Sequence, residues 1–237
     1  MALTYDTWVT SLANMLVIPP ADPNFVQMLP NAIDDAEQRI YRELDLLSTI
    51  VRDTSGTLAA NNRNFTFPQH FVVSESINVF TPVGTTTNRH PMIPVTREWM
   101  DAVYPDDIYD CGCLVAPIPK YYAMITDQTI IVGPSPSENL TVEVVGTIRP
   151  TPLSVSNQTT YLTQYLPDLF LAETLIFGYG YMKDYGATTD DPRASSTWSQ
   201  HYQDLWQSAN IEENRKKYAG QAWTPKQPAA IATPPRV

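Results

Sequence analysis

Apolar residues recur along this chain at two different periods, and the changes of period divide it into stretches. Residues 4–17, TYDTWVTSLANMLV, place Trp8, Leu12 and Met15 or Leu16 at helical spacing. IPPADP then interrupts, because proline removes a donor and restricts the residue before it. In NFVQMLPNAIDDAEQRIYRELDLLSTIVRD, Ile33, Ala36, Ile40, Leu44 and Leu47 make one stripe at steps of three and four. Pro30 fits the first turn of that helix, Asp34, Asp35 and Glu37 suit its positive N-terminal end, and Arg39 and Glu43 can pair across one turn. About 20 residues rising ~1.5 Å each give a rod of roughly 30 Å.

From Asp53 to about Pro152 the period falls to two. Polar turn clusters (DTSG, NNRN, PVGTTTN, GPSPSEN) separate short β-type runs. FVVSESINVF puts Phe71, Val73, Ile77 and Val79 on one face, with Glu75 as the exception, and YYAMIT, TIIVG and LTVEVVGTI read as further strands. Thr96 can cap a short helix, REWMDAVY. About five to seven strands in this length predict a small antiparallel sandwich or barrel.

Helical texture returns near Thr160. YLTQYLPDLFLAETLIFGYGYMKDYG carries Leu166, Leu169, Phe170, Leu175, Ile176 and Phe177, with Pro167 placed for a first turn. Gly178 and Gly180 weaken a helix, so both are expected to mark close packing. In the next helix, opened by an Asp and Pro, Trp198, Tyr202, Leu205, Trp206 and Ala209 form the buried stripe. Arg215, Lys216 and Lys217 suit its negative end, and Gly220 stops it. The predicted fold is α+β: an antiparallel bundle of about four helices with a small antiparallel β-sandwich or barrel inserted, and an extended C-terminal tail. The expected divisions are 1–52 and 153–220 for the two halves of the bundle, 53–152 for the β insertion and 221–237 for the tail.

Charge sharpens the picture at the C-terminus. QAWTPKQPAAIATPPRV has four prolines, Lys226, Arg236 and no acid, on a chain of formal charge -10. It lacks the periodicity that would place it in a core, so it is expected to be extended, and at ~3.1 Å per residue it reaches about 50 Å. Trp223 and Ile231 are its apolar anchors. A sequence pI near 4.6 argues against tight phosphate binding. No apolar run approaches the ~18 residues of a membrane span. The N-terminus lacks a basic n-region and carries Asp6, so no export signal is expected and the three sequons (Asn64, Asn139 and Asn157) read as chance matches.

Candidate chemistry is sparse. Carboxylates are paired at Asp34-Asp35, Asp106-Asp107 and Asp190-Asp191, but adjacent residues point apart, whereas acid–base work needs two carboxylates facing one substrate. The first and last pairs read as helix starts. Cys111 and Cys113 offer two thiolates, with only His70, His90 and His201 as further soft ligands, all distant in sequence. No nucleophile elbow, P-loop or HExxH motif occurs. No catalytic residue, metal or cofactor is expected.

Three stretches together resemble the head–tail adaptor (connector or tail-tubular) proteins of short-tailed bacteriophages. AEQRIYRELDL (Ala36 to Leu46) resembles that family's Ala-Glu-x-Arg-Ile-x-Arg-(Glu/Asp)-Leu helix. FPQHFVVSESINV (Phe67 to Val79) resembles its Leu-Pro-x-Asp-Phe strand entry, with His70 where the family often has Asp. YLTQYLPDLFLAETLIFGYGYMKD (Tyr161 to Asp184) and the Trp198/Tyr202 helix resemble its closing helical pair.

The resemblance implies a structural virion protein and no enzyme: a ring of about twelve copies beneath the portal protein ring, joining capsid to tail. It implies a tail nozzle or tube protein as the next partner, and genomic DNA passing through the channel without specific binding. It implies no membrane, and assembly in the cytoplasm of a bacterial host. The tail would dock on the portal through Trp223, Pro225, Lys226, Pro228, Ile231, Pro234, Pro235 and Arg236. Subunit contacts are expected from the charged face of the second helix, Glu37, Arg39, Arg42 and Glu43. Alternatives are another tail-nozzle or capsid-decorating protein, or a glycan-binding or hydrolytic module in the β region.

Overall fold

The computed structural model describes residues 3–83, 86–105, 117–182 and 192–219. The chain divides into two compact units, one from residues 1–47 and 151–237, the other from residues 48–150. The described residues are mixed α and β, with six helices and two largely antiparallel sheets.

In the helical unit, α1 (Tyr5–Leu16) begins at Thr4, whose side chain and that of Thr7 cap each other's backbone N–H groups. It ends at Val17 in the left-handed conformation (φ 57°). Helix α2 (Pro23–Glu43) starts seven residues before Pro30, so Pro30 is interior and Asp34 and Asp35 lie mid-helix. The earlier start has two causes. The Asp22 carboxylate accepts the N–H groups of Asn24 and Phe25 at 2.8 and 3.2 Å, and Pro23 occupies the first position, where its missing N–H costs nothing. Phe25, Met28, Leu29 and Ala32 extend the buried stripe backwards and hold the helix through the proline. At the other end the helix stops at Glu43. Leu46 is then fully buried and Leu47, expected on the stripe, is 39% exposed.

After the short α4 (Tyr161–Tyr165), Pro167 opens α5 (Pro167–Met182). This helix is apolar on every side and packs against α1, α2, α4 and α6 (Pro192–Ala219), as a central helix must. Trp8 of α1 packs against Phe170 with the rings tilted by 45° at 5.7 Å and donates its indole N–H to Thr174 at 3.2 Å. Gly178 lets α1 approach, since a Cβ there would lie 2.8 Å from Leu16 Cδ1. Gly180, expected to do likewise, faces open space. On α6, Tyr202 and Ala209 are buried, while Trp198, Leu205 and Trp206 are partly buried against the same core.

The β unit holds β1 (Ile50–Leu58), β2 (Asn64–Thr66), β3 (Phe71–Val83), β4 (Thr86–Pro91), β5 (Ile93–Pro94), β6 (Tyr121–Met124), β7 (Thr129–Gly133) and β8 (Leu140–Ile148), with α3 (Arg97–Val103) capped by Thr96. One sheet has the order β1-β8-β3-β4 and is antiparallel. The other, β2-β7-β6-β5, is antiparallel except for the β5/β6 pair. Both contribute to one apolar cluster that includes Leu58, Phe65, Ile77, Tyr122, Ile130 and Val144. The expected face of β3 is interrupted. Phe71, Ile77 and Val79 are buried, but Val73 is 56% exposed, because the β3/β8 register shifts between Phe71 and Val73 and again between Ser74 and Ser76. A one-residue slip turns the side chain to the other face.

The two glycines of α5 should respond oppositely to alanine. Gly180→Ala is expected to stabilise the helical unit by about 0.5–1 kcal/mol, and Gly178→Ala to destabilise it by about 1–3 kcal/mol through the Leu16 contact, both read from urea unfolding followed by helical circular dichroism.

Candidate functional site

The polar side chains of the helical unit gather along a seam between α2, α5 and α6, and Arg39 is its centre. One turn beyond the core residue Ala36, its Nη1 donates to both carboxylate oxygens of Glu173 on α5, at 2.9 Å each. Its Nε donates to Glu43 Oε1 at 3.0 Å. The other oxygen of Glu43 accepts the Tyr202 hydroxyl of α6 at 2.8 Å, and the Arg39 guanidinium lies over the Tyr202 ring at 4.4 Å. Three helices are thereby tied by one side chain.

Glu173 is 1% exposed. Burial pushes its carboxyl above the ordinary range, and the hydrogen bonds and charge of Arg39 oppose that rise. Burial likewise raises the Tyr202 hydroxyl, further raised by its bond to Glu43, so it remains a donor.

Two further buried carboxylates secure chain segments. Glu37 accepts the Leu153 N–H at 3.0 Å, fixing the segment that precedes α4. Its carboxyl is pushed up to about 7, chiefly by burial and also by Asp34, while the Leu153 bond pulls it down. Glu213, on α6 and 2% exposed, accepts the Leu47 N–H, the Tyr161 hydroxyl and Lys216 at 3.3, 3.1 and 2.6 Å. Burial alone would raise its pKa, but those bonds outweigh it and hold the group below its ordinary value. Lys217 pairs with Asp45 nearby.

The four side chains expected to make subunit contacts thus have different surroundings. Glu37 is interior, and Arg39 and Glu43, each about one-third exposed, are engaged with α5 and α6. Arg42 points outward, donating to Gln38, which in turn donates to Asp34 at 2.7 Å, so a ladder runs along the exposed side of α2. A pocket of about 200 Å³ opens beside this seam, lined by Glu43, Tyr202, Gln203 and Trp206. The tail residues Trp223, Pro225, Lys226, Pro228, Ile231, Pro234, Pro235 and Arg236 lie outside the described residues, as do Asp106-Asp107, Cys111, Cys113 and Asp190-Asp191.

The β unit has a comparable cluster that the sequence reading did not single out. Glu143 on β8 is fully buried, accepts Asn78 Nδ2 at 3.0 Å and pairs with Arg52 of β1 and Arg89 of β4. Both arginine side chains are more than half exposed, so they cover the carboxylate while remaining wet. His90 bonds Thr81 at 2.8 Å and His201 meets the Trp198 ring edge-on at 5.5 Å. Among the described residues no group of three or more His, Cys, Asp or Glu side chains could hold a metal ion. What these clusters do chemically is fix one helix or strand against another.

Two expectations follow for stability. Removing Arg39 strands Glu173, so R39M should cost about 3 kcal/mol in urea unfolding, whereas R39M/E173L should recover most of that loss. A carboxyl whose folded pKa is raised to about 7, against an ordinary 4.5, contributes stability below about pH 4.5 and loses it as pH rises through 7. Between pH 5 and 8 the native chain should therefore lose on the order of 2–3 kcal/mol relative to E37Q, which keeps an acceptor for Leu153 without the charge. Parallel pH profiles for the two would contradict this.

No curated protein matches the chain. A family match does, from residue 3 to residue 228, which takes in the helical seam, the β unit and the first part of the proline-rich segment. The chain belongs to the SU10 adaptor protein family, a family of phage structural adaptor proteins.

Proposed function

We propose that the protein forms a ring beneath the portal of a phage capsid, joins the capsid to the tail, and continues the channel through which DNA passes. The observation that carries this reading is the extent of the family match, which runs nine residues past the last described residue, Ala219, to Pro228. The family pattern thus includes Trp223, Pro225, Lys226 and Pro228 from a segment with no periodicity of its own. A segment that belongs to the pattern without the periodicity of a core element fits a role in reaching a partner.

The helical unit supplies what such a tether needs at its root. Helix α6 is held by Tyr202 to Glu43, by Glu213 to Leu47 and Tyr161, and by Lys217 to Asp45, so the chain leaves Ala219 from a fixed base. An extended 17-residue segment of formal charge +2 can then lie along a portal subunit, and ring symmetry lets each contact be weak. The remaining acidity of the chain suits a channel wall past which DNA slides without adhering. Tail nozzle or tube proteins are the partners expected on the far side. Of the four α2 residues considered for subunit contacts, Arg42 is the one whose side chain is exposed and not committed to another helix, so that role falls chiefly to it.

Native mass spectrometry of the portal ring from the same phage, mixed with this protein, tests the reading. A ring-sized gain in mass is expected, lost for a chain ending at Gly220. A gain that survives truncation would remove the tether role and keep the adaptor ring. No gain from either chain would overturn the portal reading.

A further inference from the structure

Cations in the described part of the helical unit are scarce, and most are already committed. Arg39 is bound to Glu43 and Glu173, Lys216 to Glu212 and Glu213, and Lys217 to Asp45. Among the described residues the Arg215 side chain has neither an ion pair nor a hydrogen bond, and it is exposed. It is also flanked by the two most exposed apolar residues of α6, Ile211 (53%) and Tyr218 (66%). At positions i, i+4 and i+7 these three share one face of the helix, opposite the buried Tyr202, Ala209 and Glu213.

The opposite character occurs on the outer side of α2. Val26 is 50% exposed, Pro30 and Asp34 follow it at steps of four, and Asp35 lies beside them, exposed and unpaired. This side carries more negative charge than the unit neutralises. Its two exposed carboxylates, Asp34 and Asp35, form no ion pair among the described residues, while its one exposed cation, Arg42, is hydrogen-bonded to Gln38. The spacings also correspond. Arg215 stands four residues from Ile211, and Asp34 stands four residues from Pro30, about 6 Å along either helix.

We infer that the outer face of α6, through Ile211, Arg215 and Tyr218, packs on the outer face of α2 in the next copy of this chain, with Arg215 between Asp34 and Asp35. The inference rests on the ring reading above and names its subunit contact. Because the two faces differ, the contact is head-to-tail, the kind that closes into rings. It also meets a requirement of charge: copies that each carry -10 repel one another unless opposite charges meet where they touch.

The test is assembly on the portal ring, read by native mass spectrometry across protein concentrations, with melting curves as a check on folding. R215E and D34R/D35R should each melt like the native chain and require about ten-fold more protein, or more, for half-maximal ring formation. Combining R215E with D34R/D35R should restore assembly, which loss of fold could not do. Normal rings from R215E, or failure of the combined variant to recover, would overturn this contact while leaving the ring intact as a reading. Absence of rings from the native chain would instead overturn the ring reading, and this contact with it.

Discussion

The helical unit depends on one arginine facing a carboxylate that cannot reach water. Glu173 sits in the middle of α5, a helix otherwise apolar on all sides, and is 1% exposed. Left alone, such a group would cost several kcal/mol or take up a proton. Arg39 meets both of its oxygens, and through Glu43 and the Tyr202 ring it also reaches α6. The apolar stripes of α1, α2 and α6 can be buried against α5 in more than one rotation about its axis, since α5 offers a similar surface all round. The buried pair is compatible with only one, so the ion pair sets orientation where hydrophobic burial by itself is permissive.

The same economy explains why the charged helix AEQRIYRELDL is built as it is. Ala36, Ile40, Leu44 and Leu46 face the core, Glu37 holds the Leu153 segment, Arg39 and Glu43 bind α5 and α6, and Arg42 is left outside. A sequence pattern that could be read as a solvated or intersubunit face is mostly interior wiring. Its yield is a frame in which the positions of α5 and α6 are fixed relative to α2.

Much of this was legible in the sequence. The stripes of α1 and α6 and the strands β6, β7 and β8 follow from the apolar pattern, α5 from a run that is apolar throughout, and Thr96 and Pro167 mark the starts of α3 and α5. The rest needed information that period does not contain. Pro30 read as a helix start because proline suits a first turn, but the Asp22 cap and four more buried residues outvoted it. Val73 was misplaced because bulges shift phase without altering composition. The buried acids were the least visible. Glu173 and Glu143 did leave a trace, as lone charges within LAETLI and LTVEVVGTI, whereas Glu213 lies among other polar residues and only its partners, such as Leu47 at 166 residues' distance, reveal its burial.

Those internal pairs have a consequence for the outside of the molecule. With 15 Lys and Arg against 25 Asp and Glu, each cation paired with a buried acid removes one charge of either sign, so the same excess of acids is left among fewer charges. Arg39 and Lys216 serve Glu173 and Glu213, and Arg52 and Arg89 share Glu143. The surface is left more one-sided in charge than the composition suggests. An isolated copy gains from that through repulsion between molecules, while an assembled one must bring its few uncommitted cations to the places where copies meet. In the ring proposed above, repulsion between free copies and contact between assembled ones would both follow from this one distribution. Carboxylates satisfied within the fold set its geometry, and unsatisfied charges on the outer faces of its helices remain for the assembly proposed above.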